Sequence, residues 1–190
     1  SHATITVNSA AVASGVASAP IHLAWGSHVL TVRGPAQNGV STQSYTINVT
    51  RQTPYQTWID SATSGSGSLP TGDFENDGLA NLLEYAFGTN PSLNNPGALS
   101  VINSTTITPG TPKVMEDGGM KALFIRRKDW AASGLTYTVQ FSPNLTLWEN
   151  SVAVPTVIAD DGILQAVTVP FPALINGEPA RFFRAQVNGQ

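Results

Sequence analysis

"LTYTVQFS", from Leu135 to Ser142, decides the fold class. Leu135, Tyr137, Val139 and Phe141 alternate with Thr136, Thr138, Gln140 and Ser142, the period-two pattern of a strand with one face on a core. The pattern continues on both sides. "KALFIRRK", "LQAVTVPF" and "ARFFRAQV" read as further strands, "IADDGILQ" as a hairpin turn, and "SPNLTLWEN" as a loop with an aromatic anchor, Trp148. Nearer the start, "ATITVNS", "PIHLAWG", "HVLTVRG" and "QSYTINVTR" alternate between Gly, Ser and Asn turns. Ile5 and Val7 share one strand face, as do Val29, Thr31 and Arg33 on another strand. Four short strands make only a thin sheet there, because a sandwich needs about seven strands over about a hundred residues.

The 190 residues suffice for one or two domains with cores. Charged residues are 11% of the chain, with 17 Gly and 13 Pro, a profile that suits turn-rich β modules better than a helical bundle. The net charge of −3 and nine scattered Lys and Arg argue against a nucleic-acid surface. One basic run, Arg126-Arg127-Lys128, is expected to guard a solvated strand edge. Without cysteine there is no disulfide, thiolate metal site or cysteine nucleophile. No stretch approaches the roughly 18 apolar residues of a membrane span, and none has the make-up of a signal peptide.

Residues 52 to 95 break the β pattern. In "TPYQTWIDSA", Thr53 suits an N-cap and Pro54 the first helical position. A Gly- and Ser-rich loop follows. "LANLLEYAFG" then sets Leu79, Leu82, Leu83 and Phe87 at helical spacing, with Gly88 to end the helix and Pro91 beyond. The fold expected is mainly β: antiparallel β-sandwich modules joined by a short helical segment. Its parts are a partial sandwich over 1–51, a helical linker over 52–95 and an antiparallel β domain over 96–190.

The linker carries an acidic cluster: Asp73, Glu75, Asp77 and Glu84 stand within twelve positions of a chain that has only 12 acidic residues. Like charges repel, so such a cluster calls for a cation or a solvated loop. Counted from Asp73, the stretch fits the EF-hand-like D-x-[DN]-x-[DN]-G-x5-E with one substitution, Glu75 at the third place. Calcium takes about six to eight oxygens at about 2.3–2.6 Å. Asp73, Glu75 and Asp77 would supply side chains, Gly78 the sharp turn, Leu79 its carbonyl, Asn81 the ninth position and Glu84 two closing oxygens. Magnesium fits less well, since its tight octahedron disfavours a bidentate carboxylate. The alternative is an acidic helix start that favours the helix dipole and binds nothing.

"DFENDGLANLLEYAFGTNP" resembles the acidic dockerin-like or thrombospondin type 3-like repeats of large secreted bacterial proteins. "ATITVNSAAVASGVASAPIHLAWGSHVLTVRGPAQNGVSTQSYTINVTR" resembles the second half of a bacterial cadherin-like β-sandwich domain, through its "VN" turn, its "LAWGSHVLTV" strand pair and its closing "SYTINVTR". The remainder is similar to a C-terminal β domain that often follows such repeats. These resemblances imply a non-catalytic, extracellular or cell-surface module with a structural or adhesive role, and calcium as its cofactor.

His22 and His28 flank Trp25 near Ser27, yet no G-x-S-x-G elbow or comparable frame accompanies them. Asp160, Asp161 and Glu149 could be sought as a glycosidase pair, but "IADDGILQ" reads more simply as a turn. No catalytic constellation emerges. Trp25 and Trp130 are candidates for stacking on sugar rings, with Trp130 in the polar context "KDWAASG", while Trp58 and Trp148 read as core. A carbohydrate-binding module with a polysaccharide ligand is therefore the rival reading. The uncovered sheet of residues 1–51 further predicts a homo-oligomer or filament built by strand sharing, because few charges guard its edges.

Overall fold

A computed structural model describes residues 5–13, 15–36, 40–65, 69–94 and 97–189. The chain is mainly β, with 45% strand and 10% helix. It divides into two compact units, Ser1–Thr53 and Pro54–Gln190, so the helical segment is grouped with the second β region.

The first unit is one four-stranded antiparallel sheet. Its strands are β1 (Ile5–Val7), β2 (Ala10–Val12), β3 (Gly26–Pro35) and β4 (Thr42–Arg51), in the order β2-β1-β3-β4. Asn8 and Ser9 take positive φ (47° and 71°) to make the tight turn between β1 and β2, the left-handed pair such hairpins require. Asn8 Oδ1 accepts the Thr31 N–H at 2.9 Å, fixing that turn to β3. Register places Val7 beside Val32 and Val32 beside Tyr45, with Leu30 opposite Ile47, so one face is apolar. The other face carries Thr31 opposite Thr46 and Arg33 opposite Ser44. "PIHLAWG" is not a strand as its alternation suggested. It belongs to the irregular connection from β2 to β3, held where Arg51 donates to the Leu23 carbonyl and His28 Nε2 bonds the Ala24 carbonyl at 2.8 Å. Ala10–Val12 supplies the fourth strand instead. None of the described side chains of this unit is fully buried.

The second unit opens with α1 (Pro54–Thr63), which starts at the proline, and α2 (Asn81–Phe87). A hairpin of β5 (Ser100–Asn103) and β6 (Thr106–Thr108) follows, then β7 (Lys113–Glu116), β8 (Met120–Arg127), β9 (Thr136–Ser142) and the short β10 (Glu149–Asn150). The chain ends with β11 (Thr156–Asp160), β12 (Leu164–Pro170), the small pair β13 (Leu174–Ile175) and β14 (Glu178–Pro179), and β15 (Phe182–Asn188). Two sheets form, β11-β12-β8-β7 and β10-β9-β15. Between them lie Ala122, Phe124, Val167 and Val169 from the first and Val139 and Phe141 from the second. Leu123, Ile125, Leu164 and Ala166 point the other way and pack with Leu99 and, at its edge, Val101 and Ile107 of the β5–β6 hairpin. Strands β8 and β12 are thus covered on both faces. That is why "ALFI" and "AVTV" run apolar almost without a break instead of alternating.

The basic run departs from expectation only in its pairing. Arg126 and Arg127 end β8 past the stretch that β7 pairs, Met120–Leu123, so one side of the strand is open there as expected. Yet each side chain of the run has a local partner instead of standing free in solvent. Arg126 donates to Gln165 at 3.0 Å, Arg127 pairs with Asp129 at 2.9 Å while lying over the Tyr85 ring, and Lys128 pairs with Asp160 at 3.0 Å.

Candidate metal centre

The loop before α2 is shaped by the carboxylates themselves. Asp73 accepts the N–H of Asp77 at 3.1 Å and of Gly78 at 2.9 Å, and Asp77 accepts the N–H of Leu79 at 2.8 Å. Positive φ at Asn76 (60°) and Gly78 (92°) lets the chain curl back on Asp73. These turns draw one carboxylate oxygen each from Asp73, Glu75 and Asp77 to within 4.8 Å of one another. That spacing matches the width of a calcium shell, twice its bond length of about 2.4 Å.

Helix α2 places the remaining residues. It begins at Asn81 and ends at Gly88, whose φ of 77° is left-handed and whose N–H bonds the Glu84 carbonyl. A side chain on Gly88 would strike Leu164 of β12, at 2.5 Å from its Cδ1, so the helix end sits directly on the sheet. Of the residues at helical spacing, Phe87 is buried, together with Asn81, Glu84, Tyr85 and Ala86, while Leu82 and Leu83 are only half-buried. Asn81 is anchored by its amide, which donates to the Leu69 carbonyl at 2.9 Å, and by its N–H, which bonds the Gly72 carbonyl at 2.7 Å. Leu79 is half-buried, between the loop and the helix.

Glu84 decides how the site is read. It is wholly shielded from solvent, and the Thr89 hydroxyl reaches its Oε1 only at a long 3.4 Å. Oε2 of Glu84 and both carboxylate oxygens of Glu75 are buried and, among the described residues, meet no amide, hydroxyl or cationic donor, the two carboxyl groups having only each other. Burial, then the neighbouring Glu75 carboxyl and the Asp77 charge, push the Glu84 carboxyl up to about 8. Unsatisfied buried carboxylate oxygens are costly, and a divalent cation satisfies them in the manner protein donors do elsewhere. The Glu84 side chain stands outside the 4.8 Å triad, at the helix side of the same cluster.

Other candidates lie apart from this cluster. Trp25 is 41% exposed, but the Arg51 guanidinium covers its ring at 4.0 Å. Trp130 is half-buried against the cluster of Tyr55, Ile59, Tyr85 and Leu135, contrary to its polar sequence context. Trp148 is half-buried under Arg184, at 4.3 Å, and Trp58 packs on Tyr55 and Tyr85. Ser27 Oγ meets Thr50 Oγ1 at 3.3 Å, and His22 is exposed. Asp160 and Asp161 hold the β11–β12 turn through Gly162, Ile163 and Leu164. The sequence missed the shared Tyr137 hydroxyl, which donates to the Ala86 carbonyl at 2.8 Å and accepts the Arg127 N–H at 3.1 Å, tying α2 to β8.

Among the described residues no helix is long and apolar enough to cross a membrane. No curated protein matches the chain, and no solved structure does. A family model described as a cadherin-like beta sandwich domain matches residues 1–52, which supports the cadherin-like part of the resemblance and stops short of the acidic loop.

Proposed function

We propose that this chain is a non-catalytic, calcium-stabilised structural or adhesive module of a secreted or surface protein, serving spacing, anchoring or assembly. The observation that carries the metal part is the pair of buried carboxyl groups, Glu75 and Glu84, whose oxygens Oε1 and Oε2 of Glu75 and Oε2 of Glu84 meet no amide, hydroxyl or cationic donor among the described residues, beside the Asp73–Glu75–Asp77 triad. A helix start that binds nothing would have no reason to bury those oxygens. In this reading Asp73, Glu75, Asp77 and Glu84 hold calcium with side chains, and Leu79 and Asn81 complete the shell. The ion would join the loop to α2, whose neighbouring Tyr85, Ala86 and Phe87 lie in the core. The extracellular, adhesive part is suggested by the cadherin-like match at residues 1–52.

A carbohydrate-binding role gains nothing comparable, since Arg51 occupies one face of Trp25 and Trp130 is partly packed away. Calorimetric titration of the metal-stripped chain with calcium tests the proposal. One site of roughly 10⁻⁴–10⁻³ M is expected, as in extracellular calcium modules, with Asp73→Ala abolishing the heat. Equal heats from the native chain and Asp73→Ala would remove the loop from consideration.

A further inference from the structure

We propose that the free edge of β4 pairs with β4 of a second copy of this chain, joining two four-stranded sheets into one eight-stranded sheet. Among the described residues β4 hydrogen-bonds to β3 alone, leaving ten residues, Thr42–Arg51, with an unpaired side. An edge this long is a template for strand addition, and proteins that avoid it use Lys, Pro, bulges or short strands. None of these is present: "TQSYTINVTR" carries one charge, Arg51 at its end, and its register with β3 is unbroken from Gly26–Arg51 to Pro35–Thr42. The opposite edge of the sheet, β2, has three residues, too few to accept a ten-residue strand head to tail.

The occupant follows from self-complementarity. Tyr45 and Ile47 are 61% and 49% exposed on the apolar face. Antiparallel pairing about a twofold axis at Thr46 sets Tyr45 opposite Ile47 of the second copy and Ile47 opposite its Tyr45. These are the aromatic with β-branched cross-strand pairs that stabilise sheets. Gln43 then meets Val49, and on the other face Thr42 meets Thr50 and Ser44 meets Asn48. The central pairs on one face are apolar, the other face sets hydroxyls and amides together, Gln43 against Val49 is the one mixed pair, and no charges oppose. Such an edge pair is isologous and closes at two copies. It therefore gives a dimer, where strand sharing read from the sequence left a filament open.

The cysteine-free chain permits a direct test. In the proposed register the two Thr46 positions are about 4.5–5.5 Å apart at Cα, inside the disulfide range of about 4.4–6.8 Å. The two Ser44 positions, four residues out of register, are separated by roughly 14 Å. Under mild oxidation Thr46→Cys is expected to cross-link at least tenfold faster than Ser44→Cys. Sedimentation equilibrium should show a dimer that grows with concentration, and Ile47→Lys should weaken it at least tenfold. An unchanged far-ultraviolet circular dichroism spectrum and unchanged resistance of residues 1–53 to proteolysis would show that the variants remain folded. A chain that stays monomeric at about 1 mM, equal cross-linking of the two cysteine variants, or a dimer indifferent to Ile47→Lys would each overturn the proposal. None of these outcomes bears on calcium in the second unit, so the two proposals stand or fall separately.

Discussion

The two units are built from the same alternating strands and differ in what lies over them. In Ser1–Thr53 the apolar face of a single sheet has none of its described side chains fully buried. In Pro54–Gln190, β8 and β12 are covered on both faces, and Ala122 to Ile125 are each at most 2% exposed. Alternation specifies a strand, and a continuous apolar run specifies a strand at the centre of layers. The second unit is expected to hold most of the stability, with the first depending on whatever covers it.

Core truncations separate the units most strongly. Phe124→Ala, at a side chain with no exposure, is expected to cost about 3–5 kcal/mol in urea unfolding. Leu30→Ala, on the half-buried face of the first sheet, should cost roughly 1 kcal/mol or less. Equal costs would mean that the first unit has a hidden core.

Much of this contrast was legible in the sequence, for identifiable reasons. "LTYTVQFS" and "ARFFRAQV" gave β9 and β15 because one face of each is turned inward, buried in β9 and half-buried in β15. Pro54 marked the start of α1 because its fixed φ suits a first turn. Reading failed where tertiary packing overrode local pattern. "PIHLAWG" alternates yet serves as a connection, and in α2 the polar Asn81 and Glu84 are buried while Leu82 and Leu83 are only half-buried. The twelve-position spacing picked out Asp73, Glu75 and Asp77, whose carboxylates the fold draws together. It could not show that Glu84 is buried with only a long contact from Thr89, since that depends on the packing of α2.

The next effect lies within the second unit and compares its one buried acid with its apolar core. Glu84 is neutral in both folded and unfolded chain below its ordinary range, and neutral only in the fold between that range and about 8. The metal-free fold should therefore be most stable near pH 5 and lose stability as the pH rises through about 8. Melting curves in EDTA from pH 5 to 9 check this, and calcium should flatten the decline by favouring the ionised carboxylate. Glu84→Gln should melt higher than the native chain in EDTA at pH 8, by on the order of 5 °C, and be indifferent to calcium. A native profile that rises with pH in EDTA would contradict the burial of an unsatisfied acid.

A smaller effect separates backbone strain from packing. A side chain at Gly78 would meet nothing within 4 Å, so Gly78→Ala costs only the left-handed conformation, about 1–2 kcal/mol. The loss should show in calcium affinity as well as in melting temperature, because the turn positions Asp73 and Asp77. Smaller still, Lys128→Ala removes an exposed ion pair with Asp160 and should change stability by about 0.5 kcal/mol or less.

Thermal unfolding of the intact chain in calcium against EDTA tests the central claim most directly. With a dissociation constant of about 10⁻⁴–10⁻³ M, 1 mM calcium should add roughly 0.4–1.4 kcal/mol. The melting temperature should rise with calcium concentration, and Asp73→Ala and Glu84→Gln should lose the response. Superimposable curves for the native chain in EDTA and in 10 mM calcium would contradict the account.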